Sequence, residues 1–77
     1  MWSDSLINET KKAFNDIENS VLKDLPIICM KSFHGSFGLI FKNDIIKNNY
    51  IIIDRETQTK IIYNTLDEMI EAGWVVD

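Results

Sequence analysis

The sequence predicts an α+β domain: an N-terminal amphipathic helix packed on an antiparallel sheet of about four strands, with a short C-terminal helix and room for a final short strand. Three observations carry this prediction. Residues 3–24 repeat apolar side chains at helical spacing. Residues 27–63 hold four short runs rich in Ile, Phe and Tyr, separated by polar turns. Residues 65–74 carry the start and stop signals of a short helix. Runs of adjacent strands beside segregated helices mean an antiparallel sheet of α+β type.

The first helix rests on Leu6, Ile7, Thr10, Phe14, Ile17, Val21 and Leu25, three or four apart and so stacked on one face. Ala13 and Leu22 widen the stripe, and Lys, Asn, Asp and Glu fill the opposite face. Ser3, Asp4 or Ser5 caps the start by accepting from a free backbone N–H. Pro26 ends the helix, because the residue before a proline disfavours helical geometry.

Residues 27–33 read as a strand and 37–42 as its hairpin partner, joined by His34-Gly35-Ser36 with a glycine suited to positive φ. The period of two puts Phe37, Leu39 and Phe41 on one face and Gly38, Ile40 and Lys42 on the other. Residues 43–49 are polar around Ile45 and Ile46 and read as a loop or a short helical turn. Residues 50–54 and 59–63 carry the strongest strand signals, with Arg55-Glu56-Thr57-Gln58 of hairpin length between them. Residues 66–72 form the second helix. Thr65 and Glu68 match the capping box, and Asp67 and Glu68 suit the positive end of the helix dipole. Gly73 follows as the left-handed cap, and Trp74 folds back toward Met69 and Ile70. Val75 and Val76 supply the material for a last strand.

A chain of 77 residues makes one domain, residues 1–77. Such a chain buries only about 60% of the surface its unfolded form exposes, so its stability depends on good packing or on a partner. Cys29 is the single cysteine, which excludes an internal disulfide, and it reads as a buried core filler. His34 is the single histidine, too few ligands for an ordinary zinc site, so no metal or cofactor is expected. The apolar fraction of 45% argues against disorder. The net charge of −4 and pI near 4.8 argue against generic binding to a nucleic-acid backbone. No run approaches the ~20 apolar residues of a membrane span. Met1-Trp2-Ser3-Asp4 lacks the basic and apolar regions of a signal peptide, so the expected location is the cytoplasm. Thirteen Ile, seven Asn and seven Lys have AT-rich codons, as in a low-GC bacterium or one of its phages or plasmids.

The chemistry-bearing side chains do not assemble into a catalytic pattern. Cys29 and His34 have opposite parity along one strand and so face opposite sides. Ser32 and Ser36 lack the strained turn and third orienting group of a serine nucleophile. Gly35 and Gly38 fit no phosphate-binding motif and read as relief for a turn and a strand bend. No catalytic residue is nominated, and a non-enzyme is expected. Phe33, Phe37 and Phe41 with Lys31, Lys42 and Lys47 hold the ingredients of a base-stacking sheet, which makes nucleic-acid binding the alternative.

The strands themselves bear most on function. A sheet with one wet face alternates apolar and polar residues. Tyr50-Ile51-Ile52-Ile53, Ile27-Ile28-Cys29-Met30 and Leu39-Ile40-Phe41 do not. Both faces are therefore apolar. The first helix covers one, and the short helix with the 43–49 segment covers part of the rest. The remainder is expected to pack on a second copy in a homodimer, to be closed by the short helix and the 43–49 loop between them, or to dock a different protein partner, in that order. The expected interface combines an apolar sheet face (Tyr50, Ile52, Tyr63) with an acidic rim (Asp54, Glu56, Glu71). The rim belongs to a C-terminal third, residues 54–77, with six acids against two bases. Polar replacement of Ile52 and Tyr63 is expected to abolish association and leave the fold intact. The expected function is a small protein-binding module, such as an inhibitor or regulator from a mobile element.

Overall fold

A computed structural model describes residues 1–20 and 22–77. Val21, part of the predicted apolar stripe, lies outside the described residues. Helix α1 (Asp4–Asn15) starts on Ser3, whose hydroxyl accepts from the Leu6 N–H at 3.3 Å. It ends much earlier than Pro26. The chain leaves helical geometry at Asp16 (φ −142°, ψ 56°) and makes a 3-10 turn, Ile17–Asn19. Short polar side chains account for the break, because they offer the backbone local alternatives to the helix. The Asn19 amide donates to the Asp16 carboxylate at 3.0 Å, and the Ser20 hydroxyl donates to the Ile17 carbonyl at 3.0 Å. Ile17 still reaches the core, whereas Leu25 is exposed.

The sheet has five strands rather than four: β1 (Ile27–Ser32), β2 (Phe37–Phe41), β3 (Tyr50–Asp54), β4 (Lys60–Tyr63) and β5 (Trp74–Val76). Their order is β4-β3-β2-β1-β5, antiparallel throughout. The first four strands make a meander, and β5 returns to pair with the free side of β1. Helix α2 (Lys42–Ile46) joins β2 to β3 where a loop or helical turn was expected. Helix α3 (Leu66–Glu71) joins β4 to β5. Half of its expected capping box forms: the Thr65 hydroxyl accepts from the Glu68 N–H at 3.1 Å, while the Glu68 carboxylate accepts from the Asn64 N–H at 2.8 Å, one residue before the cap and not from Thr65 itself. Gly73 follows with φ +106° and Gly35 turns the β1–β2 hairpin with φ +90°. These are backbone states that only glycine adopts without cost.

Each helix buries apolar residues against one face of the sheet, although Ile46 of α2 stays exposed. Phe14 and Ile17, Ile45 of α2, and Leu66, Met69 and Ile70 of α3 join one cluster with Ile28, Met30, Ile40, Tyr50, Ile52 and Trp74. The Phe14 ring stacks on Tyr50 with centroids 6.5 Å apart. Gly38 belongs to the same face, where a side chain would strike the γ-methyl of Ile52 and the ring of Trp74. Its small size makes room for Trp74 rather than relieving a bend. Among the described residues, no helix is long and apolar enough to cross a membrane.

Candidate functional site

Among the described residues, no helix packs over the opposite face of the sheet. Directly paired residues in antiparallel strands point to the same side, so the registers Ile27↔Phe41, Cys29↔Leu39, Lys31↔Phe37, Leu39↔Ile53 and Ile51↔Ile62 assemble one continuous surface. It is almost wholly apolar. Phe37 is 52% exposed, Phe41 42% and Ile62 71%. Ile27 is exposed, and Leu39, Ile51 and Ile53 are half-buried among their neighbours. Cys29 is exposed on this surface too, a correction to its reading as core: Ile28 and Met30 flank it and take the inward positions. Lys31 and Lys60 are its basic residues, opposite Phe37 and Ile53.

At the β5 end of this face stands a residue that no sequence pattern flags. Trp2 precedes α1, yet its indole N–H donates to the Gly73 carbonyl at 2.7 Å. Its ring meets Phe33 edge-on at 5.5 Å between centroids, and the Lys31 ammonium lies 5.1 Å from the ring centre. Val75, opposite Lys31 in the register, is fully buried. A lone tryptophan ahead of the helix carries no periodicity, so only the tertiary fold reveals its partners.

The residues expected at the interface are divided by the structure. Tyr50 and Ile52 are buried on the helix-covered face, with Ile52 at 0% exposure. Tyr63 is half-buried beside them, its hydroxyl accepting from the Trp74 indole N–H at 3.1 Å. The three apolar residues of the expected interface therefore belong to the covered face and not to the open one. The reason is parity in β3: Tyr50 and Ile52 point under α1 while Ile51 and Ile53 point outward, and a run of isoleucines gives no sign of which set is covered.

The expected acidic rim is dispersed. Asp54 closes the β3–β4 turn, its carboxylate accepting from the Glu56 N–H at 2.9 Å and the Thr57 N–H at 3.0 Å. The Thr57 bond, then the Glu56 bond, holds its pKa below the ordinary value. Glu56 is exposed and borders a shallow depression with Gly35, Ser36, Phe37, Arg55 and Asp77. Glu71 borders a separate one with Trp2, Phe33, His34 and Gly73. Of the other acids in this third, Asp67 pairs with Lys11 at 3.6 Å and Glu68 caps α3.

The lysines of the alternative reading do not converge either. Lys31 is at the Trp2 corner. Lys42 turns toward the Lys23 carbonyl and Glu18, and Lys47 follows α2. Among the described residues, no group of three or more His, Cys, Asp or Glu side chains is placed to hold a metal ion. No family model, curated protein or solved structure matches this chain.

Proposed function

We propose that this chain is a small non-enzymatic binding module that acts by laying the open face of its sheet on a partner protein. The observation that carries the reading is the uncovered surface of Ile27, Phe37, Leu39, Phe41, Ile53 and Ile62, opposite a face that three helices already cover. Contiguous exposed apolar surface of more than a few hundred Å² marks interaction sites in proteins that otherwise hide it. Exposed phenylalanines suit the centre of such a site, since aromatic anchors supply much of the binding energy of an interface. Glu56, beside Phe37, supplies a charged border. An inhibitor or regulator carried by a phage or other mobile element of a low-GC bacterium, working in the cytoplasm, agrees with the size and with the codon bias of the composition.

The test is affinity capture with the native chain and with the double variant Phe37→Glu, Phe41→Glu. A specific partner kept by the native chain and by Glu71→Lys, but lost by the double variant, supports the reading. A partner retained by the double variant sinks it.

One observation favours a second reading. Phe33, Phe37 and Phe41 are each exposed, with Lys31 directly opposite Phe37, and aromatics on a sheet stack unpaired bases. The net charge of −4 opposes it. Binding of single-stranded DNA or RNA that weakens steeply with salt would establish this reading, and no binding at low salt removes it.

A further inference from the structure

The two edges of the sheet are treated differently. At the β5 edge, the Thr10 hydroxyl accepts from the Val76 N–H at 3.1 Å, so α1 supplies the partner that a neighbouring strand would. The β4 edge has no such cover. Among the described residues, no group beyond the β3 ladder bonds the backbone of Lys60 or Ile62.

Which groups of β4 point outward follows from the ladder. The Arg55 N–H donates to the Phe37 carbonyl at 2.9 Å, so the odd-numbered residues of β3 bond to β2. The even-numbered ones bond to β4, as the Asp54 N–H does to the Thr59 carbonyl at 2.9 Å. Ile52 and Tyr50 are paired with Ile61 and Tyr63. Hydrogen-bonding sides alternate along a strand. Ile61 and Tyr63 therefore bond inward, and the N–H and C=O of Lys60 and Ile62 face outward.

We propose that these four groups pair with the same four groups of a second copy, antiparallel about a two-fold axis, fusing two sheets edge to edge. The register can be chosen. A two-fold at Ile62 needs the Asn64 N–H, which the Glu68 carboxylate already occupies. A two-fold at Lys60 sets the two lysines face to face and needs the Gln58 N–H, which donates to the Asp54 carbonyl. A two-fold at Ile61 sets Lys60 opposite Ile62 twice and satisfies all four groups. It also brings the two Ile61 side chains together on the helix-covered side, and it lays the lysine stems beside the exposed Ile62. The edge is self-complementary, as a two-fold interface requires. The fused sheet would carry both open faces on one side. The proposal does not rest on what those faces bind.

The experiment is light scattering across a wide concentration range together with amide exchange. A mass of twice the 9.0 kDa chain, with concentration-dependent protection of the Lys60 and Ile62 amides, is the expected result. Ile62→Pro removes an outward N–H and spares the β3 ladder. It should raise the dimer dissociation constant roughly tenfold or more, while Phe41→Glu on the open face leaves it unchanged. A monomer at every concentration overturns the proposal. So does a dimer whose Lys60 and Ile62 amides exchange freely, or one that Phe41→Glu dissolves. If Ile62→Pro does not fold, the exchange of the native chain decides.

Discussion

The Thr10 hydroxyl donates to the Leu6 carbonyl at 2.9 Å and accepts from the Val76 N–H at 3.1 Å, joining the first helix to the last strand. Thr10 is fully buried. Thr10→Val keeps its shape and removes the acceptor, leaving the Val76 N–H without a partner. A fully buried donor in that state costs about 1–3 kcal/mol, and this part-buried one should cost toward the lower end. Thr10→Ser keeps the oxygen and should lose clearly less. Urea denaturation measures the stabilities, and exchange of the Val76 amide reports the bond. Equal stability of the Val and native chains would show that the edge is satisfied otherwise.

Gly38 lies between three neighbours that cannot all retreat. A Cβ there would be 2.7 Å from the Ile52 γ-methyl and 3.1 Å from both the Ile53 carbonyl oxygen and the Trp74 ring. The carbonyl is backbone of the adjacent strand, and Ile52 and Trp74 are packed in the core. Gly38→Ala gains some chain stiffness, worth about 0.5–1 kcal/mol, but overpacking of this kind costs about 1–3 kcal/mol. A lower melting temperature is expected, with Trp74 fluorescence as a local probe. An unchanged or higher one would mean that β2 shifts freely.

Local signals in the sequence proved legible because local physics decides them. The Thr65 cap of α3, the left-handed Gly73, the Gly35 turn and the alternation of Phe37, Leu39 and Phe41 against Gly38 and Ile40 all follow from rules spanning a few residues. The end of α1 was not legible, because the apolar stripe continues through Ile17 while Asp16, Asn19 and Ser20 break the backbone beneath it. Nor was the covered face. Tyr50, Ile51, Ile52 and Ile53 offer two equally apolar sides, and the choice depends on where α1 and α3 settle. Trp2 and Thr10 act over separations of 71 and 66 residues, beyond any local pattern.

Asp54 gives a pH dependence of defined sign. Its pKa is lowered from 3.8 by the Thr57 and Glu56 N–H groups. A carboxylate whose folded pKa is depressed adds stability above its unfolded pKa, and that stability is lost as pH falls through the folded value. Native stability should thus decline more steeply than that of Asp54→Asn as pH drops below 3.8. The two profiles should run parallel once Asp54 is protonated in both states. An NMR titration of the Asp54 carboxyl with its midpoint at or above 3.8 would remove the basis for this.

The two faces of β3 and β2 should respond oppositely to substitution, which is the sharpest check on where the surface lies. Ile52 is fully buried among the residues under the helices. Ile52→Ala should cost about 2–5 kcal/mol, and a polar residue there more, so loss of association in such a variant would report unfolding. Phe37 and Phe41 face outward at strand positions whose cross-strand contacts are worth about 0.2–1 kcal/mol each. The double variant Phe37→Glu, Phe41→Glu should keep its circular dichroism and melt within a few degrees of the native chain, while its binding of an apolar dye falls. That separation of stability from surface is what an open face requires. If the double variant unfolds as badly as Ile52→Ala, the face is part of a core in solution, and the partner is then needed for folding itself.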